Sequence, residues 1–464
     1  MLEEVVGMAS NNQTNLITAV TISPLEELQR HFAIIDLGGE IRVVDQNQIK
    51  ALLDGSFIGE PSFYKKADAQ IRMARSLEQL PVNCKPSQVI SDFWTSPKTK
   101  FYNATAFTPI DTPESTLNFW VGPVPLAAPG RWVELRDFLR DIICAGSEKN
   151  YDYLIRFLAH MIQKPHEKPG VIITLLGGQG TGKGVFFSLL RAIWPRTFLL
   201  VSDIEQVIGR FNACLERNFV ICMDEALFSG DRKAMDRLKS MITEYVIQIE
   251  QKFQPARSIQ SVHRLFASSN HSHFGNIEMD DRRFVFLSVS NSKQQDTSYF
   301  GEIAAFIEDE KVVGALIYYL QRKDLTTFNV RAKPNTNEHL EQKLKSLQGV
   351  ARMWYEFLVN GTLGETARIF DEQDGWSEKV FLSSSEIKQL YITFNRNAER
   401  HHTVQIADVT KTIRELCPSA RVSRQVSKPT GALKGRQLRG LLLPCLDDAR
   451  LDFERVIGGK IDWD

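Results

Sequence analysis

The octapeptide Gly177-Gly178-Gln179-Gly180-Thr181-Gly182-Lys183-Gly184 constrains this chain more than any other stretch. An apolar, β-rich run over 171–176 precedes it, and a second apolar run starts at Val185 and carries on to Trp194. That order predicts strand, glycine loop and helix, the layout of a nucleotide-phosphate cradle. Backbone N–H groups must approach phosphate oxygens closely in such a loop, and side chains would block them. Residues 177–185, Gly177 through Val185, are therefore the candidate nucleotide-binding segment, with Lys183 as the charge on the β- and γ-phosphates. One position departs from the pattern: Gly184 stands where a hydroxyl side chain normally ligates Mg²⁺. The expected cofactors are ATP and Mg²⁺, with metal affinity weakened rather than hydrolysis lost.

About forty residues further on, 219–223 form an apolar run that ends in Asp224-Glu225. A parallel strand delivers its C-terminal residues to the sheet edge where the glycine loop lies. Asp224 is then the candidate metal ligand, directly or through water, and Glu225 the group that orients and polarises an attacking water. A third run, 264–270, ends in Asn270, whose amide suits contact with both a γ-phosphate and that water. Arg282-Arg283 opens a fourth run; such a pair is either solvated or reaches the nucleotide of an adjoining subunit. An arginine used in that way contributes on the order of 10³–10⁵ in rate.

Strands alternating with helices from about 168 to 292 predict a parallel α/β sheet. Before it, 16–130 reads as mixed short strands and helices, with a hairpin around Gly38-Gly39 and an irregular, proline-rich, aromatic-pinned stretch over 93–129. Residues 131–167 read as a helical, oligomerising segment, and 340–359 as one helix within a linker spanning 331–378. The first fifteen residues read as a polar, disordered lead-in. The last unit, 379–464, reads helix, helix, hairpin. Between Arg421 and Arg439 it carries Arg424, Lys428, Lys434 and Arg436 with no acidic residue. A winged-helix-like DNA-binding domain fits that pattern, as does a solvated cationic hairpin.

Composition excludes some classes. Over 464 residues the formal net charge is zero, so no global basic field draws the chain to nucleic acid and local patches must do so. Six scattered cysteines form no C-x-x-C pair, which argues for reduced thiols and a cytoplasmic setting. No apolar run has the length of a membrane span.

Taken as a set, the glycine loop, IGRFN at 208–212, ICMDEA at 221–226, LKSMITEYVIQIEQKF at 238–253, FASSN at 266–270 and DDRRF at 280–284 resemble the superfamily 3 helicases, specifically the primase-helicase-like proteins of phages and mobile elements. FTPIDTP, NFWVGP and LAHMIQKP extend the resemblance over about 89–324, and the C-terminal unit shares it more loosely. It implies an AAA+-type P-loop ATPase core over 168–330 and a ring, usually a hexamer, that moves along single-stranded or forked DNA in a bacterial host cell. It also implies that Lys183, Asp224, Glu225 and Asn270 act as above, and that Arg282 or Arg283 acts in trans, with Arg282 favoured. The alternating run 246–250, the cationic segment after it and the return toward Asn270 become a hairpin pointing into the ring channel. Lys252, Phe253 and Arg257 are its DNA-contact candidates, a cation and an aromatic suiting backbone contact and base stacking. The N-terminal region has no Asp-x-Asp strand of the kind a two-metal primase needs, so priming is expected from a separate primase or polymerase. The alternative is an AAA+ ATPase that remodels or loads proteins without unwinding DNA.

Overall fold

The computed structural model describes residues 23–463 apart from 58, 81–83, 226–231, 251–255, 271–280, 335–336, 364–374, 398–404 and 427–436. The chain divides into two compact units, Met1–Trp120 and Val121–Asp464.

The first unit starts with helix α1 (Pro24–His31), where Ser23 and Glu26 cap each other's backbone N–H groups and Pro24 sits at the first helical position. Strands β1 (Phe32–Asp36) and β2 (Ile41–Asp45) follow as the expected hairpin, turned by Gly38 and Gly39 in the left-handed region. Then come α2 (Gln46–Asp54), β3 (Phe63–Tyr64), α3 (Lys66–Glu78), α4 (Pro86–Thr95), β4 (Phe101–Tyr102), β5 (Ala104–Ala106) and β6 (Thr116–Asn118). The main sheet runs β3-β2-β1-β4. Alternation along β1 puts Phe32 and Ile34 into one apolar core with Met73 and Phe93, and Ala33 and Ile35 into another with Ile49 and Leu117. Both faces of this strand are therefore covered.

In the second unit, α5 (Val133–Asp137) runs into a π-helical turn, Phe138–Ile143, and α6 (Glu148–Gln163) follows. The central element is a five-stranded parallel sheet. Its members are β7 (Ile172–Leu176), β8 (Phe198–Val201), β9 (Val220–Asp224), β12 (Arg264–Ser269) and β13 (Phe284–Ser288). The connecting elements are α7 (Lys183–Ile193), α8 (Glu205–Ile208), α9 (Arg232–Thr243) and the hairpin β10 (Val246–Ile249) with β11 (Arg257–Gln260). Strand order is β13-β7-β12-β9-β8. Burial is continuous along β7 and β12, because both faces of the sheet are covered, and it encloses the polar Thr174, Arg264, Ser268 and Ser269 along with the apolar residues. On one face Ile221, Leu265, Ala267 and Phe284 pack with Leu238 and Ile242 of α9. On the other, Phe266 meets the rings of Phe157 and Phe186, both at 5.8 Å. Strand β8 is absent from the sequence reading although Phe198-Leu199-Leu200-Val201 is wholly apolar; it pairs with β9 at the edge of the sheet, and only Val201 is buried.

Helices α10 (Thr297–Glu308) and α11 (Glu310–Arg322) follow. The helix expected over 340–359 is two, α12 (Asn337–Lys345) and α13 (Gly349–Asn360). Gly349 takes φ +54, which no continuous helix can accommodate. The last part holds β14 (Val380–Ser383), α14 (Ser384–Asn397), α15 (Ile406–Leu416), β15 (Arg421–Val426), β16 (Gln437–Leu443) and α16 (Leu446–Ile457). The hairpin β15–β16 takes β14 as a third strand, and Trp354, Trp376, Ile413, Leu441 and Phe453 fill the core behind it.

At the N-terminal end of the parallel sheet lies a buried basic network. Arg264 donates to the carbonyls of Val262, Lys164 and Pro165, and burial pulls its pKa down to about 9. Lys168 donates to the carbonyl of Glu244 at 2.6 Å and to Ser261, and burial pulls it down to about 7. Because Ser261 accepts from Lys168, its own proton goes to His263 Nδ1 (2.8 Å), and His263 Nε2 then donates to the carbonyl of Leu215 at 2.9 Å. His263 is thus held neutral, its pKa pushed to about 4 by burial first and by Lys168 and Arg264 beside it. His160, buried against Arg264 and hydrogen-bonded to Glu167, is also lowered to about 4.

Between the ordinary histidine pKa near 6.5 and about 4, the unfolded chain binds more protons than the fold. The stability these histidines contribute is full above that window and lost as pH falls through it, up to about 3 kcal/mol each. Urea midpoints should therefore drop from pH 7 to 4.5, and His263→Gln should flatten the drop. A variant with the parent's slope would contradict the neutral assignment.

Candidate nucleotide-phosphate site

Strand β7 ends at Leu176 and α7 begins at Lys183, so the glycine loop spans the C-terminal edge of the sheet and opens a helix. Gly180 and Gly182 adopt φ +75 and +98. A Cβ on Gly182 would lie 2.5 Å from the ring of Phe300, and one on Gly178 would lie 2.8 Å from Gln294 Nε2. Gly182 is required by close approach as well as by backbone freedom, whereas at Gly178 the neighbour is the end of the Gln294 side chain, which can shift. The loop is braced from behind: Thr181 Oγ1 donates to the carbonyl of Gly178 (2.9 Å), Gln294 Nε2 to that of Gln179 (3.0 Å), and the Gln295 N–H to that of Gly180 (2.9 Å). Gln179, Gly180 and Gly184 are exposed, Gly177, Gly178 and Val185 partly so, while Thr181, Gly182 and Lys183 are buried.

Lys183 Nζ donates to the carbonyls of Gly177 (2.8 Å) and Gly178 (2.7 Å) and to Asn270 Oδ1 (2.6 Å). Burial lowers its pKa, while Asp224 and Glu225 pull it back up. Asn270 Nδ2 donates in turn to Glu225 Oε1. Glu225 sits at φ +53, an uncommon conformation for a side-chain-bearing residue. Ser268 donates from Oγ to Asp224 Oδ1. Parallel pairing causes this convergence. Strand β12 lies between β7 and β9, with Ser268 opposite Asp224 and Ser269 opposite Leu176. The loop, both carboxylates and the amide thus reach one edge without any long-range loop.

Arg282 and Arg283 are elsewhere. They precede Phe284, which pairs with Ile172 at the start of β7. The glycine loop lies five residues along, about 16 Å away at the opposite end of the strand. Neither arginine is placed at the loop of its own chain. Arg283 is half-buried and held by the buried Asp281 carboxylate at 3.3 Å, whereas Arg282 is exposed.

The expected hairpin forms as β10–β11, with Arg257 in the second strand opposite Ile249 rather than in the segment between the strands; 251–255, with Lys252 and Phe253, lies outside the described residues. Arg257 is committed to a two-pronged pair with Glu216 (3.0 and 2.5 Å), so contact with DNA would have to compete with that carboxylate. Asn212 grips the hairpin through the Gln248 carbonyl and the Glu250 N–H, both at 3.0 Å. Beside it Phe211 is 55% exposed, with the Arg210 guanidinium 5.7 Å from its ring centre. This cation–aromatic pair was visible in the IGRFN segment, but only the fold puts it next to the hairpin. In the C-terminal sheet Arg421 and Arg424 are exposed, and Arg424 lies opposite the exposed Arg439. Like charges directly opposed on a hairpin repel, and a polyanion would relieve that. Lys428, Lys434 and Arg436 lie outside the described residues.

Among the described residues no helix is long and apolar enough to cross a membrane, and no group of three or more His, Cys, Asp or Glu gathers as a metal cage. A single carboxylate beside a phosphate cradle fits Mg²⁺, which keeps several waters and is bound by one or two carboxylates with substrate phosphates.

Residues 175–283 match a family of unknown function, DUF5906. Over 146 residues the chain is 27% identical to the DNA primase-polymerase of Nitratiruptor phage NrS-1. That stretch is 31% of this chain and 20% of the relative, so the chain spans about a fifth of that protein's length. The fold resembles the C-terminal region of NrS-1 in its apo structure, with a TM-score of 0.64 and 16% identity over 90% of this chain and 99% of that one. A second form of that region, the A form, gives 0.62 over 90% and 98%.

The loop geometry predicts opposite outcomes at two glycines. Gly182→Ala should cost on the order of 1–3 kcal/mol in urea unfolding, from positive φ and the Phe300 clash. Gly184→Ala, with nothing within 4 Å of the added carbon, should leave stability unchanged or raise it. Equal effects at both positions would refute this loop geometry.

Proposed function

We propose that this protein is an ATP-driven translocase of single-stranded DNA, working as a ring in the replication of a phage or mobile element. The observation that carries the reading is the chain of contacts Lys183–Asn270–Glu225 at the edge where the glycine loop opens α7. In this reading the loop N–H groups and Lys183 bind the phosphates, and Asp224 holds the metal. Glu225 orients the attacking water, and Asn270 links it to the γ-phosphate. Mg²⁺ held by Asp224 would supply charge neutralisation to the phosphates. With Asn270 holding Lys183 and Glu225 together, nucleotide entry exchanges the carbonyl and amide partners of Lys183 for phosphate oxygens.

The arginines support a multi-subunit site. Placed at the far end of β13, Arg282 serves a neighbour's nucleotide and Arg283 braces it through Asp281. For DNA the reading uses the hairpin with Lys252 and Phe253, the adjacent Arg210–Phe211 pair, and the basic C-terminal hairpin. The similarity to a phage primase-polymerase supports a place in phage DNA replication. In this reading priming comes from a separate primase or polymerase.

Single-stranded DNA should stimulate ATP hydrolysis, steeply less so as salt rises. Lys183→Ala should abolish hydrolysis while leaving DNA binding measurable. Arg282→Ala should also be inactive, and mixing it with Lys183→Ala should restore part of the activity by pairing intact half-sites. Hydrolysis indifferent to DNA would favour a protein-remodelling ATPase; mixtures that stay inactive would remove the trans arginine.

A further inference from the structure

Gly184 leaves the site one metal ligand short, and the structure holds a second hydroxyl within reach of the same task. Ser268 is fully buried in β12. It stands directly opposite Asp224 in the parallel register, with Leu175 of β7 on its other side. Its Oγ–H, a single donor, is spent on Asp224 Oδ1. A hydrogen bond from a buried hydroxyl to a carboxylate is charge-assisted and fixes geometry more firmly than a neutral one. Around Gly184, by contrast, an added Cβ meets nothing within 4 Å, and the loop's own hydroxyl, Thr181 Oγ1, donates to the carbonyl of Gly178.

We propose that Ser268 is a positioning residue for the metal. By holding Oδ1 it pre-orders Asp224 with Oδ2 as the ligand atom, and so offsets the hydroxyl missing at Gly184. Groups that orient a ligand in this way change metal affinity about 10–100-fold when removed. The inference rests on reading the site as one for Mg²⁺ and a nucleoside triphosphate.

The test is binding of a fluorescent ADP analogue to the full chain across a Mg²⁺ titration, with electron paramagnetic resonance of Mn²⁺ as a second readout. Ser268→Ala should raise the half-saturating Mg²⁺ about 10–100-fold. Gly184→Ser should lower it in the parent and recover most of the loss in Ser268→Ala. Should Ser268→Ala fail to fold, Ser268→Cys, with its weaker donor, should raise the half-saturating Mg²⁺ above the parent's, and an unchanged value would overturn the proposal. A Ser268 variant that melts earlier but binds metal like the parent makes the hydroxyl merely structural and overturns the proposal. Failure of Gly184→Ser to rescue overturns it as well. A parent chain with no Mg²⁺-dependent nucleotide binding overturns the reading of the site itself.

Discussion

The pairing of β12 between β7 and β9 is the constraint on which the site depends. Three parallel strands in register bring Leu176, Ser269, Ser268 and Asp224 to one edge. The groups that follow these strands, the glycine loop, Asn270 and Glu225, are then within hydrogen-bonding distance. A slip of one residue in β12 would turn Phe266 from its contacts with Phe157 and Phe186 toward the α9 face. The register is therefore held by core packing, and the polar edge inherits its precision from the apolar interior.

The opposite end of the same sheet solves a different problem. Arg264, Lys168, His160 and His263 are all buried there, and burying cations costs free energy unless every donor finds an acceptor. The terminal nitrogens of Arg264 and the Lys168 ammonium find theirs in backbone carbonyls, at Val262, Lys164, Pro165 and Glu244, while Arg264 Nε finds none. These bonds tie the segment before β7 to the root of the hairpin β10–β11. Strand β7 carries the glycine loop at its other end, so loop and hairpin share one rigid element.

Much was legible in the sequence where local chemistry and geometry coincide. Glycines with an apolar run on either side can do little else than turn closely before a helix, and Gly180 and Gly182 do so. The apolar runs ending in Asp224 and Asn270 are strands because both of their faces are covered. The hairpins at 32–45 and 421–443 follow from alternation around a turn. Less was legible where tertiary context decides. Strands β8 and β14 are apolar runs of only three or four residues, too short to be told apart from loop by pattern alone, and pairing with β9 and β16 makes them strands. The break at Gly349 overrode a helical periodicity that ran through it. Arg257 looked available to a ligand until Glu216 was seen to hold it.

By itself the sequence marked out the candidates: the loop, Lys183, Asp224, Glu225 and Asn270 stand out by residue type and spacing, since contact with a phosphate would demand bare backbone and a cation. Only the tertiary structure decided who meets whom. Strand order put Asn270 between Lys183 and Glu225, parallel register set Ser268 against Asp224, and strand direction carried Arg282 and Arg283 to the edge away from their own loop. Such facts are properties of pairing between segments far apart in the chain, and no local pattern encodes them.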